Sequence, residues 1–122
     1  MADAYLSWGT VLCKMKRYEE GFEKFDQALT IAPELVGVSR QWGEALLELE
    51  HYEEARGHLL KAVEQEPNQF DAAMNLAVAN LKTAREQDAI DALHELEKKH
   101  PWHHRLHYLL GTIYMGKGNH QR

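Results

Sequence analysis

Three prolines divide this chain at a constant interval of about 34 residues, a length typical of stacked repeat units. Pro33, Pro67 and Pro101 are the only prolines in the sequence. A bulky residue followed by a small one stands at the same distance before each proline, as Trp8-Gly9, Trp42-Gly43 and Leu76-Ala77. The same phase continues after the last proline as Leu110-Gly111. The interval therefore predicts three complete units and part of a fourth.

Each complete unit is predicted to contain two short helices. In the first unit, two stretches of apolar residues at helical spacing are separated by the polar pair Lys16-Arg17. Proline disfavours helical backbone at the preceding residue, so Pro33 ends the second stretch. Gly21 and Ala55, early in the second helices, are expected to let the paired helices approach closely. The fourth unit is predicted to hold one helix, followed by a turn at Gly116-Lys117-Gly118-Asn119.

These repeated positions resemble the pattern of the tetratricopeptide repeat family, which covers essentially the whole chain. The first unit supplies Tyr5, Trp8, Gly9, Leu12, Gly21, Phe25, Ala28 and Pro33. The second supplies Ser39, Trp42, Gly43, Leu46, Ala55, Leu59, Ala62 and Pro67. The third supplies Ala73, Leu76, Ala77, Asn80, Ala89, Leu93, Leu96 and Pro101, and the fourth supplies His107, Leu110, Gly111 and Tyr114.

The resemblance implies an all-α fold, a right-handed superhelical array of helix-turn-helix repeats. It predicts three repeats plus one additional C-terminal helix in a single domain over 1–122, with repeat limits at about 2–35, 36–69, 70–103 and 104–122. Trp8 and Trp42 are expected in the repeat core. The last helix is apolar around much of its girth, whereas a terminal cap should have a polar outer face. This favours a fragment of a longer repeat protein, or a last helix that another chain covers.

The resemblance also implies a concave groove lined by the first helices, where partner peptides dock. Carried over position by position, the groove would contain Leu6, Thr10, Cys13, Arg40, Glu44, Leu47, Met74, Asn75, Val78, Leu81, Tyr108, Thr112 and Met115. Its apolar character, with methionine and aromatic patches, suits a peptide or amphipathic helix with apolar anchors. We therefore predict a non-catalytic protein-binding scaffold.

Two alternatives stay open at this point: a bacterial secretion-type chaperone for a partly unfolded client, and a scaffold that self-assembles head to tail. The second rests on charge. Residues 1–97 hold nine Lys/Arg against nineteen Asp/Glu, a net charge of −10, whereas residues 98–122 hold five Lys/Arg and no acid. The acidic body of one copy and the basic last segment of another could dock head to tail, through a contact that propagates.

Several partner classes are not expected. The net charge of −5 argues against nucleic acid, and no apolar run is long enough to span a membrane. Binding to a chaperone's C-terminal carboxylate is not expected either. The positions matching the family's carboxylate clamp carry no positive charge; they are Leu6, Thr10, Gln41, Asp71 and Asn75. The absence of a secretory signal pattern after Met1, together with a single cysteine, predicts a cytoplasmic location.

No cofactor, metal site or catalytic residue is predicted. His103 and His107 lie one helical turn apart, but no glutamate follows His103 as in a zinc-protease motif. Cys13 has no histidine nearby in sequence and is expected to be a surface or groove thiol. No glycine-rich phosphate loop is present. Binding of metal by the C-terminal histidines stays open.

Overall fold

The computed structural model describes residues 1–120, with side chains described through residue 116, and every regular element in that part is an α-helix. The seven helices are α1 (Ala2–Lys14), α2 (Tyr18–Ile31), α3 (Val38–Glu48), α4 (Tyr52–Gln65), α5 (Phe70–Lys82), α6 (Glu86–Lys99) and α7 (His104–His120). The first residues of α2, α4 and α6 are separated by the same interval as the prolines. The predicted all-α array of helix pairs plus one further helix is confirmed.

The turns inside the three helix pairs share one backbone geometry. Lys16, Glu50 and Ala84 have φ angles of 67°, 62° and 61°, and they occupy equivalent positions in the three units. In each turn, the amide of the next residue donates a hydrogen bond back to a carbonyl five positions earlier, as from Arg17 to Leu12 over 2.8 Å. This left-handed residue ends the first helix, and the bond satisfies one of the helix's last carbonyls. The chain can therefore reverse in a very short turn.

Glycine sets the distance between the helices of the first pair. A Cβ atom added to Gly9 would lie 2.7 Å from the Phe25 ring and 2.8 Å from the Gly21 carbonyl oxygen. A Cβ added to Gly21 would lie 2.6 Å from the Cys13 sulfur. Real Cβ atoms do not come so close to their neighbours, so α1 and α2 cross where neither helix has a side chain. The predicted close approach is confirmed at Gly21.

The core is built in three overlapping parts, each shared by three consecutive helices. The first joins α1, α2 and α3 around Phe25; the second joins α3, α4 and α5 around Leu59; the third joins α5, α6 and α7 around Leu93. Each helix therefore buries its apolar face only against its near neighbours in sequence, as stacked repeats do.

The two tryptophans at equivalent positions have different surroundings. Trp42 packs on Phe22 and Phe25 of α2, with ring centroids 5.6 Å and 5.8 Å apart. Trp8 was expected in the repeat core, but this is wrong, because 52% of its surface is exposed. It stacks on Tyr5, and the Lys24 ammonium lies 3.9 Å from its ring centroid. The difference arises because α2 covers Trp42, whereas no described helix covers Trp8 in the same way.

Helix α7 is longer than the sequence predicted. The predicted turn at residues 116–119 is helical, and α7 continues to His120. Glycine in a helix costs about 1 kcal/mol relative to alanine but does not forbid the conformation. Leu106, Leu110 and Ile113 bury the inner face of α7 against the preceding helices. Within the described residues, no helix is long and apolar enough to cross a membrane.

Candidate functional site

A recess of about 380 Å³ lies between α1 and the start of α3. It is lined by Leu6, Ser7, Thr10, Val11, Val36, Gly37, Arg40, Gln41 and Glu66. The walls are mainly apolar at Leu6, Val11 and Val36, and polar around Arg40. A recess with apolar walls and a few placed polar groups is the usual form of a ligand-binding surface.

The backbone before α3 shapes this recess. Gly37 has φ of 104°, in the region that side-chain-bearing residues rarely adopt. The chain can therefore turn sharply into α3 while Val36 stays exposed at the rim. A Cβ atom at Gly37 would be 3.4 Å from the Leu6 side chain, so the turn lies directly against α1.

Arg40 is the polar centre of the recess. Its Nε atom is buried and has no hydrogen-bond partner among the described residues. The nearest carboxylate oxygen, from Glu66, is 3.8 Å away, which is too long for a hydrogen bond. A buried donor without a partner costs about 1–3 kcal/mol.

A second, smaller recess of about 100 Å³ continues along α1 and α3. Thr10 and Gln41 line both recesses, and Cys13, Lys14, Glu44, Ala45 and Glu48 complete the second. Burial raises the pKa of the Glu44 carboxyl above its usual value, while the charge of Arg40 acts in the opposite direction. The two recesses together form the N-terminal recess, a continuous polar and apolar surface across α1 and α3.

The structure brings five of the predicted groove residues together here: Leu6, Thr10, Cys13, Arg40 and Glu44. Cys13, however, is not a surface thiol, although it lines the smaller recess. It is 8% exposed and its sulfur packs toward Gly21. Burial, followed by the charge of Glu48, raises the pKa of its thiol. Since the thiolate is the reactive form, a raised pKa lowers the reactivity of this thiol in the folded chain.

The remaining predicted groove residues lie elsewhere. Met74 is fully buried in the core between α5, α6 and α7, so its assignment to the groove is wrong. Leu47 and Leu81 pack against the edges of the core. Asn75 and Val78 are half-buried on α5, and Tyr108, Thr112 and Met115 are exposed on α7. None of these residues lines the N-terminal recess.

Six residues that line the larger recess were missed, and three of them lie outside the first helices. Val36 and Gly37 belong to the connection before α3, and Glu66 follows α4. A pattern that assigns the groove only to first helices cannot select them. The glycine just before a helix was the one available signal, since such a glycine often marks a sharp turn.

The C-terminal histidines make other contacts. The rings of His100 and His103 pack on Phe70, with centroids 4.8 Å and 4.1 Å away. His107 contacts the Pro101 carbonyl oxygen and the Glu97 carboxylate. Among the residues whose side chains the structure describes, no three histidine, cysteine or acidic side chains are grouped so that they could hold a metal ion.

Comparison with known proteins supports the repeat pattern and the fold. Residues 40–93 match the family model described as Tetratricopeptide repeat. No curated protein sequence matches the chain significantly.

Solved structures that share the fold cover almost the whole chain. MamA from Desulfovibrio magneticus RS-1 superposes with a TM-score of 0.89 at 22% identity, covering 99% of this chain and 68% of that one. The first tetratricopeptide domain of Spaghetti (RPAP3), bound to an HSP90 peptide, superposes with a TM-score of 0.87 at 14% identity, covering 96% and 93%. Pseudomonas aeruginosa PilF superposes with a TM-score of 0.84 at 19% identity, covering 97% of this chain and 54% of that one. The repeat match covers residues 40–93, and over almost its whole length the chain has the fold of these tetratricopeptide repeat structures.

Proposed function

We propose that the chain is a non-catalytic protein-interaction scaffold that binds a peptide or helix segment of a partner in the N-terminal recess. The observation that carries this proposal is the recess itself. Leu6, Val11 and Val36 form its apolar walls, and the partly exposed Arg40 side chain lines it beside them. The tetratricopeptide fold and the peptide bound to the RPAP3 domain support a peptide partner in general terms. We also propose that the chain acts as one domain in the cytoplasm.

The recess favours a partner segment with an apolar anchor next to an acidic side chain. The anchor would fill the space between Leu6, Val11 and Val36. The neighbouring carboxylate would accept hydrogen bonds from the Arg40 guanidinium, whose Nε atom lies 3.8 Å from the Glu66 carboxylate. Hydrogen bonds between a guanidinium and a carboxylate are among the strong ones in proteins. The apolar contact would supply most of the affinity and the arginine would orient the segment.

A free C-terminal carboxylate is not the expected ligand. The clamp positions carry no positive charge, and Asp71 at one of them would repel a terminal carboxylate. The peptide in the RPAP3 complex is SRMEEVD. We expect this peptide to bind the present chain no better than a scrambled version of itself.

Two exposed apolar residues make a matched pair for testing the site. Val11 lines the recess and is 54% exposed, whereas Ile31 on α2 is 50% exposed and lines neither part of the recess. Peptides selected from a random display library on the purified chain would be titrated into Val11→Glu and Ile31→Glu variants by fluorescence anisotropy. We expect Val11→Glu to raise the Kd at least tenfold and Ile31→Glu to leave it unchanged.

A third variant, Arg40→Gln, tests the polar contact. It should weaken acidic selected peptides more than their Glu→Gln or Asp→Asn versions. Selected peptides that bind all three variants as tightly as the native chain would refute the assignment of the N-terminal recess as the binding site.

A further inference from the structure

The Glu97 carboxylate on α6 joins two histidines that belong to different helices. One of its oxygens lies 3.3 Å from Nδ1 of His94 on α6, and the other lies 3.3 Å from Nδ1 of His107 on α7. The second ring nitrogen of each histidine also has a polar partner. Nε2 of His94 contacts the Tyr114 hydroxyl, and Nε2 of His107 contacts the Pro101 carbonyl oxygen. We call the side chains of His94, Glu97, His107 and Tyr114 the Glu97 bridge.

The partners of the two histidines require different protonation states. A neutral imidazole has one N–H donor and one acceptor nitrogen, whereas an imidazolium has two donors. His94 fits the neutral form, because its Nδ1 can donate to Glu97 while its Nε2 accepts from the Tyr114 hydroxyl. The partners of His107 are a carboxylate and a backbone carbonyl, and both can only accept. Both nitrogens of His107 must therefore donate, which only the imidazolium form can do.

The other charged groups near His107 do not supply the attraction that this cation needs. The first turn of α7 holds no acidic residue, and a helix N-terminus disfavours positive charge. On α6, Lys98 is paired with Glu95. No side chain of α5 forms a hydrogen bond or ion pair with His107 among the described residues. Three basic or titratable neighbours in sequence oppose the charge, namely His103, His104 and Arg105. Glu97 is therefore the group that stabilises the imidazolium.

The bridge lies beside the apolar contact that holds α7 in place. Leu93 and Leu96 of α6 and Leu106 and Leu110 of α7 are buried together in one part of the core. The side chain of His107, in contrast, is 46% exposed, so it can exchange its proton with solvent. The apolar contact does not depend on pH, whereas the contact between His107 and Glu97 does.

From these observations we infer that the Glu97 bridge makes the packing of α7 on α6 sensitive to pH. Protonated His107 donates to Glu97 and to the Pro101 carbonyl, so it ties the start of α7 to the end of α6. Neutral His107 keeps only one of these two hydrogen bonds and loses its charge attraction to Glu97. A histidine that gains a partner on folding contributes stability at low pH, and this contribution is lost as the pH rises. The α6–α7 contact is thus tighter at mildly acidic pH, and it loosens across the range in which histidine titrates.

Hydrogen exchange of backbone amides measures this contact locally. Protection factors would be determined for the amides of α7 and, as an internal reference, of α5, at about pH 5.5 and about pH 8, on either side of the usual histidine titration. Protection factors already exclude the intrinsic pH dependence of exchange. Helix α5 contains no histidine. The ratio of α7 to α5 protection therefore separates local opening of α7 from changes in the stability of the whole chain.

Two variants remove the bridge, and a third is the matched control. His107→Gln removes the titrating donor, and Glu97→Gln removes the charged acceptor. His104→Gln is the control, because His104 is an exposed histidine of the same helix whose side chain forms no hydrogen bond or ion pair among the described residues. Circular dichroism would confirm that all three variants remain helical.

We expect the protection ratio to be about threefold higher at the lower pH in the native chain and in His104→Gln, which is the size expected for a partly exposed ion pair. In His107→Gln and Glu97→Gln, the ratio should change less than 1.5-fold between the two pH values. A native ratio that is independent of pH, or higher at the higher pH, overturns the proposal. Native pH dependence in either His107→Gln or Glu97→Gln overturns it as well, because another group would then be responsible.

Discussion

One alanine substitution should have opposite effects on stability at two glycines of the same repeat phase. Gly9 and Gly111 are both helical and stand three periods apart. In an exposed helix, replacing glycine with alanine stabilises by about 0.5–1 kcal/mol, because alanine has the better helix propensity. Gly111 meets no described neighbour, so Gly111→Ala should gain this amount.

At Gly9 the same Cβ atom would lie 2.7 Å from the Phe25 ring and 2.8 Å from the Gly21 carbonyl oxygen. Both neighbours resist movement, since Phe25 is fully buried and the Gly21 oxygen belongs to the α2 backbone. Overpacking of this kind costs about 1–3 kcal/mol, and here we expect the upper end. After the gain in helix propensity, Gly9→Ala should destabilise the chain by about 1–2 kcal/mol.

The two variants should therefore differ by about 2–3 kcal/mol, or roughly 8–15 °C in Tm for a chain of this size. Urea titration followed by far-UV circular dichroism measures the difference. The slope of the free energy of unfolding against urea concentration should match that of the native chain. A match shows that unfolding remains cooperative, which is not assured in a repeat protein. Gly9→Ala at least as stable as Gly111→Ala would refute the close packing of α1 on α2.

Three further effects follow from particular residues. Ala84→Gly should raise the free energy of unfolding by up to about 1 kcal/mol in a urea titration, because Ala84 has φ of 61° and glycine accepts that conformation without strain; a loss of stability would contradict this. Burial against Trp42 lowers the pKa of His58 below its usual 6.5, so protonation opposes folding and the free energy of unfolding should fall as the pH drops below 6.5. This loss should be smaller in His58→Phe, and identical pH profiles for the two proteins would argue against it. Cys13 should react with a thiol reagent at least tenfold more slowly in the folded chain than in urea; comparable rates would show that the sulfur is accessible.

Much of the fold could be predicted because the positions of the helices and turns depend on residues that are close together in the sequence. The apolar spacing placed the helices, and the turn at Lys16-Arg17 was visible as a polar pair. The candidate site was predicted less well. Five of the thirteen proposed groove residues line the N-terminal recess, but Met74 is buried. A helical pattern shows which residues share a face, whereas the packing of the neighbouring helices decides whether that face meets solvent or another helix.

The sequence by itself determined the repeat period, the pairing of helices and the small residues at their crossings. These features depend on backbone propensities and on neighbours within one unit. Only the tertiary structure decided which equivalent positions are covered: Trp42 packs under α2 while Trp8 is exposed, and Gly9 meets Phe25 while Gly111 meets nothing described. Whether a residue is buried depends on the surface packed against it, so the same repeat position can lie in the core in one unit and be exposed in another.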